Sequence, residues 1–209
     1  TWDMNVQAIN RLHLPSNHLP LGGPLVRFME RNYSREKMYD RKAEELRAGV
    51  PHTTFLWVPD VHKEDEFAAL GTANCDAACK YLWACHNLWL QYRYTMDRYL
   101  LEPLGDRLEG GINTFVAYTV RGEDGKLHVE SGRSWEAVRD VPDPLCYIAI
   151  VVWALHCRME IDRLLGRDND PRWPSLLEQL PAYPQGEEGY YLAPGIPPVP
   201  HRHWSHLMQ

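Results

Sequence analysis

Apolar residues recur at helical spacing through almost the whole chain, and that repeat limits the possible folds more than any single motif does. The stretch 24-PLVRFMERNYSREKMYDRKAEELRAG-49 reads as two helical pieces, with Ser34 as the N-cap of the second and Glu36, Lys37, Glu44 and Glu45 on the wet side. A second helical run covers 75–97, where Leu82, Cys85, Leu88, Trp89 and Tyr92 are spaced for one buried stripe. A third covers 97–120, with Pro103 near a first turn, where its missing N–H costs least. A long apolar helix is predicted over Leu145–Leu165 and a shorter one over Arg172–Leu180.

What separates these runs is long and poor in strand signals. The segment 121-RGEDGKLHVES-131 is a Gly/Asp turn followed by a brief alternating run, a short strand or extended loop. The tail 181–200 reads as loop, six of its twenty residues being proline. Helices of about 15 to 22 residues joined by long aromatic loops do not suit a short-loop bundle. They suit an all-α toroid of the (α/α)6 type, in which loops at one rim build the site. No internal repeat, low-complexity tract or linker divides the chain, so one domain over 1–209 is expected.

Composition excludes some partners. With 22 Lys and Arg against 28 Asp and Glu, the formal charge is -6, contrary to a protein that neutralises nucleic-acid phosphates. The longest apolar run, 145-LCYIAIVVWAL-155, is shorter than the roughly 18 residues of a membrane span and reads as a buried helix. Residues 1–209 begin with no basic stretch leading into an apolar core, so no leader is visible in them. Cys75, Cys79, Cys85, Cys146 and Cys157 form no CxxC pair, and buried free thiols are the expectation over a metal or redox site. Eight tryptophans and eleven tyrosines provide either core material or flat platforms for sugars and other rings.

Three stretches concentrate groups that do chemistry. In 201-HRHWSHL-207, His201, His203 and His206 follow the spacing H-x-H-x-x-H, with Ser205 where metallo-hydrolases carry an aspartate. They bind a metal or line a pocket. In 126-KLHVESGRSWEAV-138, Glu136 stands beside Trp135, whose ring can desolvate the carboxyl and keep it protonated as a general acid. The alternative is a solvated loop glutamate, or one in a helix's first turn offsetting the dipole. At the start, 1-TWDMNVQAIN-10 offers Asp3, Asn5 and Gln7 on one face if extended. An acid, a base and orienting amides are what glycosidic hydrolysis needs.

Read in order, these segments resemble the catalytic domain of glycoside hydrolase family 95, the inverting α-L-fucosidases and α-L-galactosidases. The matching pieces are 3-DMNVQ-7, Asn17, 24-PL-25, 37-KMY-39, 52-HTTFLW-57, 87-NLW-89, Tyr92, 95-TMD-97, 124-DGKLHVESGRSWE-136 and 201-HRHWSHL-207, spread over essentially the whole chain. The resemblance implies an (α/α)6 barrel flanked by β-rich domains. It makes Glu136 the acid that protonates the leaving oxygen, with Asp3 and Asn5 activating or orienting water. Trp2, His52, Trp57, Trp135, Arg202 and His203 would hold the sugar. No metal or organic cofactor is implied, and the partner is an oligosaccharide or glycoconjugate. Departures from the family pattern are Asp3 for the first of two asparagines, Thr53 and Phe55 for two polar sugar contacts, Trp135 for a proline and Asn87 for a histidine.

On this resemblance the chain is a fragment, about four helical pairs of six, without the N-terminal β-domain and the rest of the barrel. Export or a periplasmic location is implied only by the habit of the family. Two other classes fit the residues: a carbohydrate-binding or catalytically lapsed toroid, favoured by Thr53 and Phe55, and a metal-dependent hydrolase using His201, His203 and His206.

Overall fold

A computed structural model describes residues 11–38, 75–134, 138–187 and 189–198 of the chain. In chain order the described part comprises a 3-10 turn Leu19–Gly22, α1 (Gly23–Met38), α2 (Cys75–Thr95), a 3-10 turn Arg98–Leu100, α3 (Leu101–Ala117), β1 (Val120–Arg121), β2 (Leu127–His128), β3 (Gly132–Ser134), β4 (Val138–Val141), α4 (Leu145–Leu165), α5 (Arg172–Gln179), β5 (Gln185–Gly186) and β6 (Gly189–Tyr190). The described part is therefore mostly helical, with three small antiparallel hairpins.

The core is the junction of α2, α3 and α4, each of which packs on the other two. Thirteen of the 21 residues of α2 are buried, among them Tyr81, Leu82, Cys85, Leu88 and Trp89. That is more than the single stripe expected from spacing, because α2 is enclosed from several directions rather than laid on one surface. Close approach demands a small residue on α3: a Cβ at Gly111 would lie 2.6 Å from Leu82 Cδ2. Helix α4 ends at Gly166, whose φ of 70° is the left-handed conformation, and the Arg167 N–H donates to the Asp162 carbonyl at 2.9 Å.

Sequence and structure differ at three places. Helix α1 runs through Ser34 without a break, so Ser34 is not an N-cap. No Gly or Pro interrupts 25–38, and an intact i→i−4 ladder outweighs one hydroxyl cap. The β3–β4 hairpin was not anticipated. Its strands are largely exposed and have no apolar alternation to read, and Asp140 interrupts its register at φ 56°. Within the tail read as loop, β5 and β6 form a two-residue hairpin. By contrast Pro103 does fall in the first turn of α3, after a turn capped by Asp97, whose Oδ1 accepts from Tyr99 N–H at 3.1 Å. All five cysteines are free and buried. Burial pushes the Cys75 thiol up to about 12 and raises Cys79 and Cys157 as well, which keeps them protonated.

Among the described residues no helix is long and apolar enough to cross a membrane. Polar contacts tie α5 to α3 and to the first hairpin, where Arg121 of β1 donates to Gln179 Oε1 at 2.7 Å. Arg158 pairs with Asp162, Arg172 Nη2 reaches Glu109 at 3.1 Å, and the Arg172 guanidinium lies 4.8 Å from the ring centre of fully buried Trp173.

Candidate functional site

A cleft of about 360 Å³ opens between α2 and α4. One face of α4 builds one wall, through Cys146, Ala149, Ile150 and Trp153, positions that recur at helical spacing. Trp83 and His86, three apart on α2, build the facing wall, while Tyr183 and Arg11 come from loops. Arg11 is brought there by an anchored turn. His13 Nε2 meets Gln91 Oε1 at 2.9 Å, and Gln91 Nε2 donates to the Leu19 carbonyl at 3.0 Å.

Within the cleft Arg11 Nη2 lies 3.1 Å from His86 Nδ1. Arginine carries only donors, so Nδ1 is the acceptor and His86 keeps its proton on Nε2. Burial, helped by the Arg11 charge, pushes the His86 pKa down to about 4. The imidazole is therefore neutral at pH 7 and acts as a hydrogen-bond donor through Nε2. Trp153 stands edge-on to it, ring centres 4.7 Å apart. Aromatic walls with a few donors are the make-up of a site for a small, flat, acceptor-rich molecule.

A second constellation surrounds His128. Its Nδ1 lies 2.6 Å from Asp143 Oδ2 and its Nε2 lies 3.1 Å from Asp124 Oδ1. Both ring nitrogens face carboxylates, which suits the doubly protonated ring, and the hydrogen bonds to Asp143 and then Asp124 raise the His128 pKa. Buried Asp143 also accepts from the Val129 N–H at 2.8 Å, so this group clasps β2 to the turn before α4. Next to it a polar hollow of about 310 Å³ includes Asp76, Tyr147 and Arg133. There Tyr147 donates to Asp76 at 2.7 Å, Lys80 donates to the other Asp76 oxygen at 2.8 Å, and burial followed by the Asp76 charge raises the tyrosine pKa strongly. Among the described residues no group of three or more His, Cys, Asp or Glu is placed to hold a metal ion.

The residues singled out from the sequence do not meet in the described part. Trp2, Asp3, Asn5, His52, Trp57, Trp135, Glu136, Arg202 and His203 all lie outside it, as do His201 and His206. Asn87 is described and is buried on α2. Conversely Arg11, His86 and Trp153 escaped the sequence reading. The available signal was the spacing 146, 149, 150, 153 on a helix apolar all round, but nothing in that pattern distinguishes an open face from a packed one. Compared with known proteins, the chain matches no family model and no curated protein.

Proposed function

We propose that the chain is part of an inverting exo-glycosidase of the α-L-fucosidase kind, built on an (α/α) toroid, and that the cleft between α2 and α4 takes a sugar ring. The observation that carries this reading is the composition of the cleft: Trp83, Trp153 and Tyr183 offer flat apolar surface, and Arg11 and His86 supply donors beside it. A sugar ring needs both, since its faces are apolar and its edge is lined with hydroxyl acceptors. The volume of about 360 Å³ is at the small end for ligand sites, which suits one or two sugar units.

The neighbourhood of the proposed acid supports the same reading. Cys146, in the cleft wall, donates through Sγ to the Arg133 carbonyl of β3 at 3.6 Å. Glu136 follows Arg133 by three positions in the chain, and three peptide steps span at most about 11 Å. In this mechanism Glu136 gives its proton to the leaving oxygen while Asp3, with Asn5, activates water on the opposite face of the ring. Arg202 and His203, with Trp2, His52, Trp57 and Trp135, hold the sugar. No cofactor takes part.

The test is hydrolysis of an aryl α-L-fucoside, with the anomer of the released sugar followed by NMR. Inverted product, lost in Glu136→Gln, is expected. Full activity in Glu136→Gln, or product with retained configuration, would sink the mechanism. Sugar binding without turnover in the unaltered chain would leave a carbohydrate-binding toroid, because the cleft alone suffices for that.

A further inference from the structure

Several arginines of the described part meet carboxylates, and buried Arg107 is held by the Pro103 and Met29 carbonyls, whereas Arg11 has neither kind of partner among the described residues. Arg158 pairs with Asp162, Arg163 with Glu160, Arg167 with Glu102, and Arg172 with Glu109 and Asp170. Arg11 has no carboxylate among the described residues; its hydrogen-bond partner is the neutral ring of His86 at 3.1 Å, and its Nε is buried without a partner. Among the described residues no acidic side chain lines the cleft and Arg11 is its one charged lining residue, in a chain with a formal charge of -6. Burial without a counter-ion is unfavourable for a guanidinium, which stays charged and presents a fork of donors. A site that keeps such a group among aromatic walls is built for a ligand that brings the missing anion.

We infer that the saccharide taken by the α2–α4 cleft carries an anionic group, a carboxylate or a sulfate, which Arg11 receives while Trp153 and Tyr183 cover the apolar faces of its ring. This rests on the sugar-binding reading of the cleft and deepens it by placing an anion on the fucosyl unit or on the sugar next to it. His86 contributes a second donor, Nε2–H. Its lone pair at Nδ1 is already committed to Arg11, so it holds the guanidinium in place without neutralising it. In the proposed mechanism Glu136 holds a proton before the reaction and the Asp3 carboxylate is engaged with the attacking water, so neither is assigned to Arg11 as its counter-ion.

The experiment is calorimetric titration of the 209-residue chain with four probes: methyl β-D-glucuronide, glucose 6-sulfate, methyl β-D-glucoside and L-fucose. At least one anionic probe is expected to bind about tenfold or more tightly than the neutral ones, as a charge-assisted hydrogen bond in an enclosed site provides. Which anion wins identifies the source, uronate or sulfate ester. Arg11→Gln should erase the preference and Arg11→Lys should keep part of it. If Arg11→Gln does not fold, the Lys variant and the loss of the preference in high salt decide the matter. Neutral probes binding as tightly as the anionic ones, or a preference that survives Arg11→Gln, overturns the inference and leaves the sugar-binding reading intact. No binding by any probe removes both.

Discussion

His86 and His128 are the same side chain in opposite settings, and the contrast separates a region that binds from a region that holds. His86 has a cation at Nδ1 and aromatic rings around it, and burial drives it to the neutral form with a pKa of about 4. His128 has a carboxylate at each nitrogen and is driven to the charged form. In the clasp at His128 both ring nitrogens and the Val129 N–H meet carboxylate oxygens, and two pieces of chain are joined. In the cleft the Arg11 guanidinium meets a neutral ring and, among the described residues, no carboxylate. Unmatched polarity is the mark of a place where a second molecule completes the set.

The largest effect is expected from the clasp. Asp143→Ala would leave the Val129 N–H and the His128 ring without their acceptor and would place alanine at φ 42°, where aspartate is tolerated better. A loss of about 3 kcal/mol in urea unfolding is expected. A loss under about 1 kcal/mol would mean that the clasp is replaced by water and holds nothing.

The pH dependence of stability comes next, and the two histidines act with opposite sign. For His86 the folded pKa of about 4 lies below the ordinary 6.5, so its contribution is present above pH 6.5 and is lost as pH falls toward 4. About 2 kcal/mol should disappear over that window, and His86→Gln should flatten this part of the curve. For His128 the folded pKa is raised, so its contribution is full below pH 6.5 and is lost as pH rises through the raised value. The ring is partly exposed to solvent, with a relative side-chain exposure of 29%, so screening limits this part and His128→Gln should cost about 1 kcal/mol at pH 6. That difference should shrink in alkaline buffer. Parallel pH profiles for the two variants would erase the contrast.

The smallest effect is expected at the cleft. Arg11→Met removes an unpaired charge from a partly enclosed place, so melting should be unchanged or improved by under about 1 kcal/mol. His86 should titrate higher in that variant yet stay below 6.5, because burial outweighs the Arg11 charge in lowering it. A destabilisation of several kcal/mol would instead make Arg11 a structural tie.

Helix positions were legible because periodicity is local. Leu145–Leu165 was readable end to end, since Pro144 before it and Gly166 after it are boundary residues and 21 apolar-rich positions lie between. Ser34 misled because a capping residue inside a continuous repeat is ambiguous without its φ and ψ. The hairpins were hard to see for the converse reason: strands of two to four residues, mostly exposed, bury too little to impose a pattern.

The sequence by itself determined the helical class, the apolar α4, the buried free cysteines and the position of Pro103, all of which depend on neighbours within a turn or two. Tertiary structure decided which face of α4 stayed open, that Arg11 would meet His86 across 75 residues of chain, and that His128 would find Asp143. A pKa or an unpaired charge depends on the groups that share a volume. Only the packing of α2, α3 and α4 chose which groups those were.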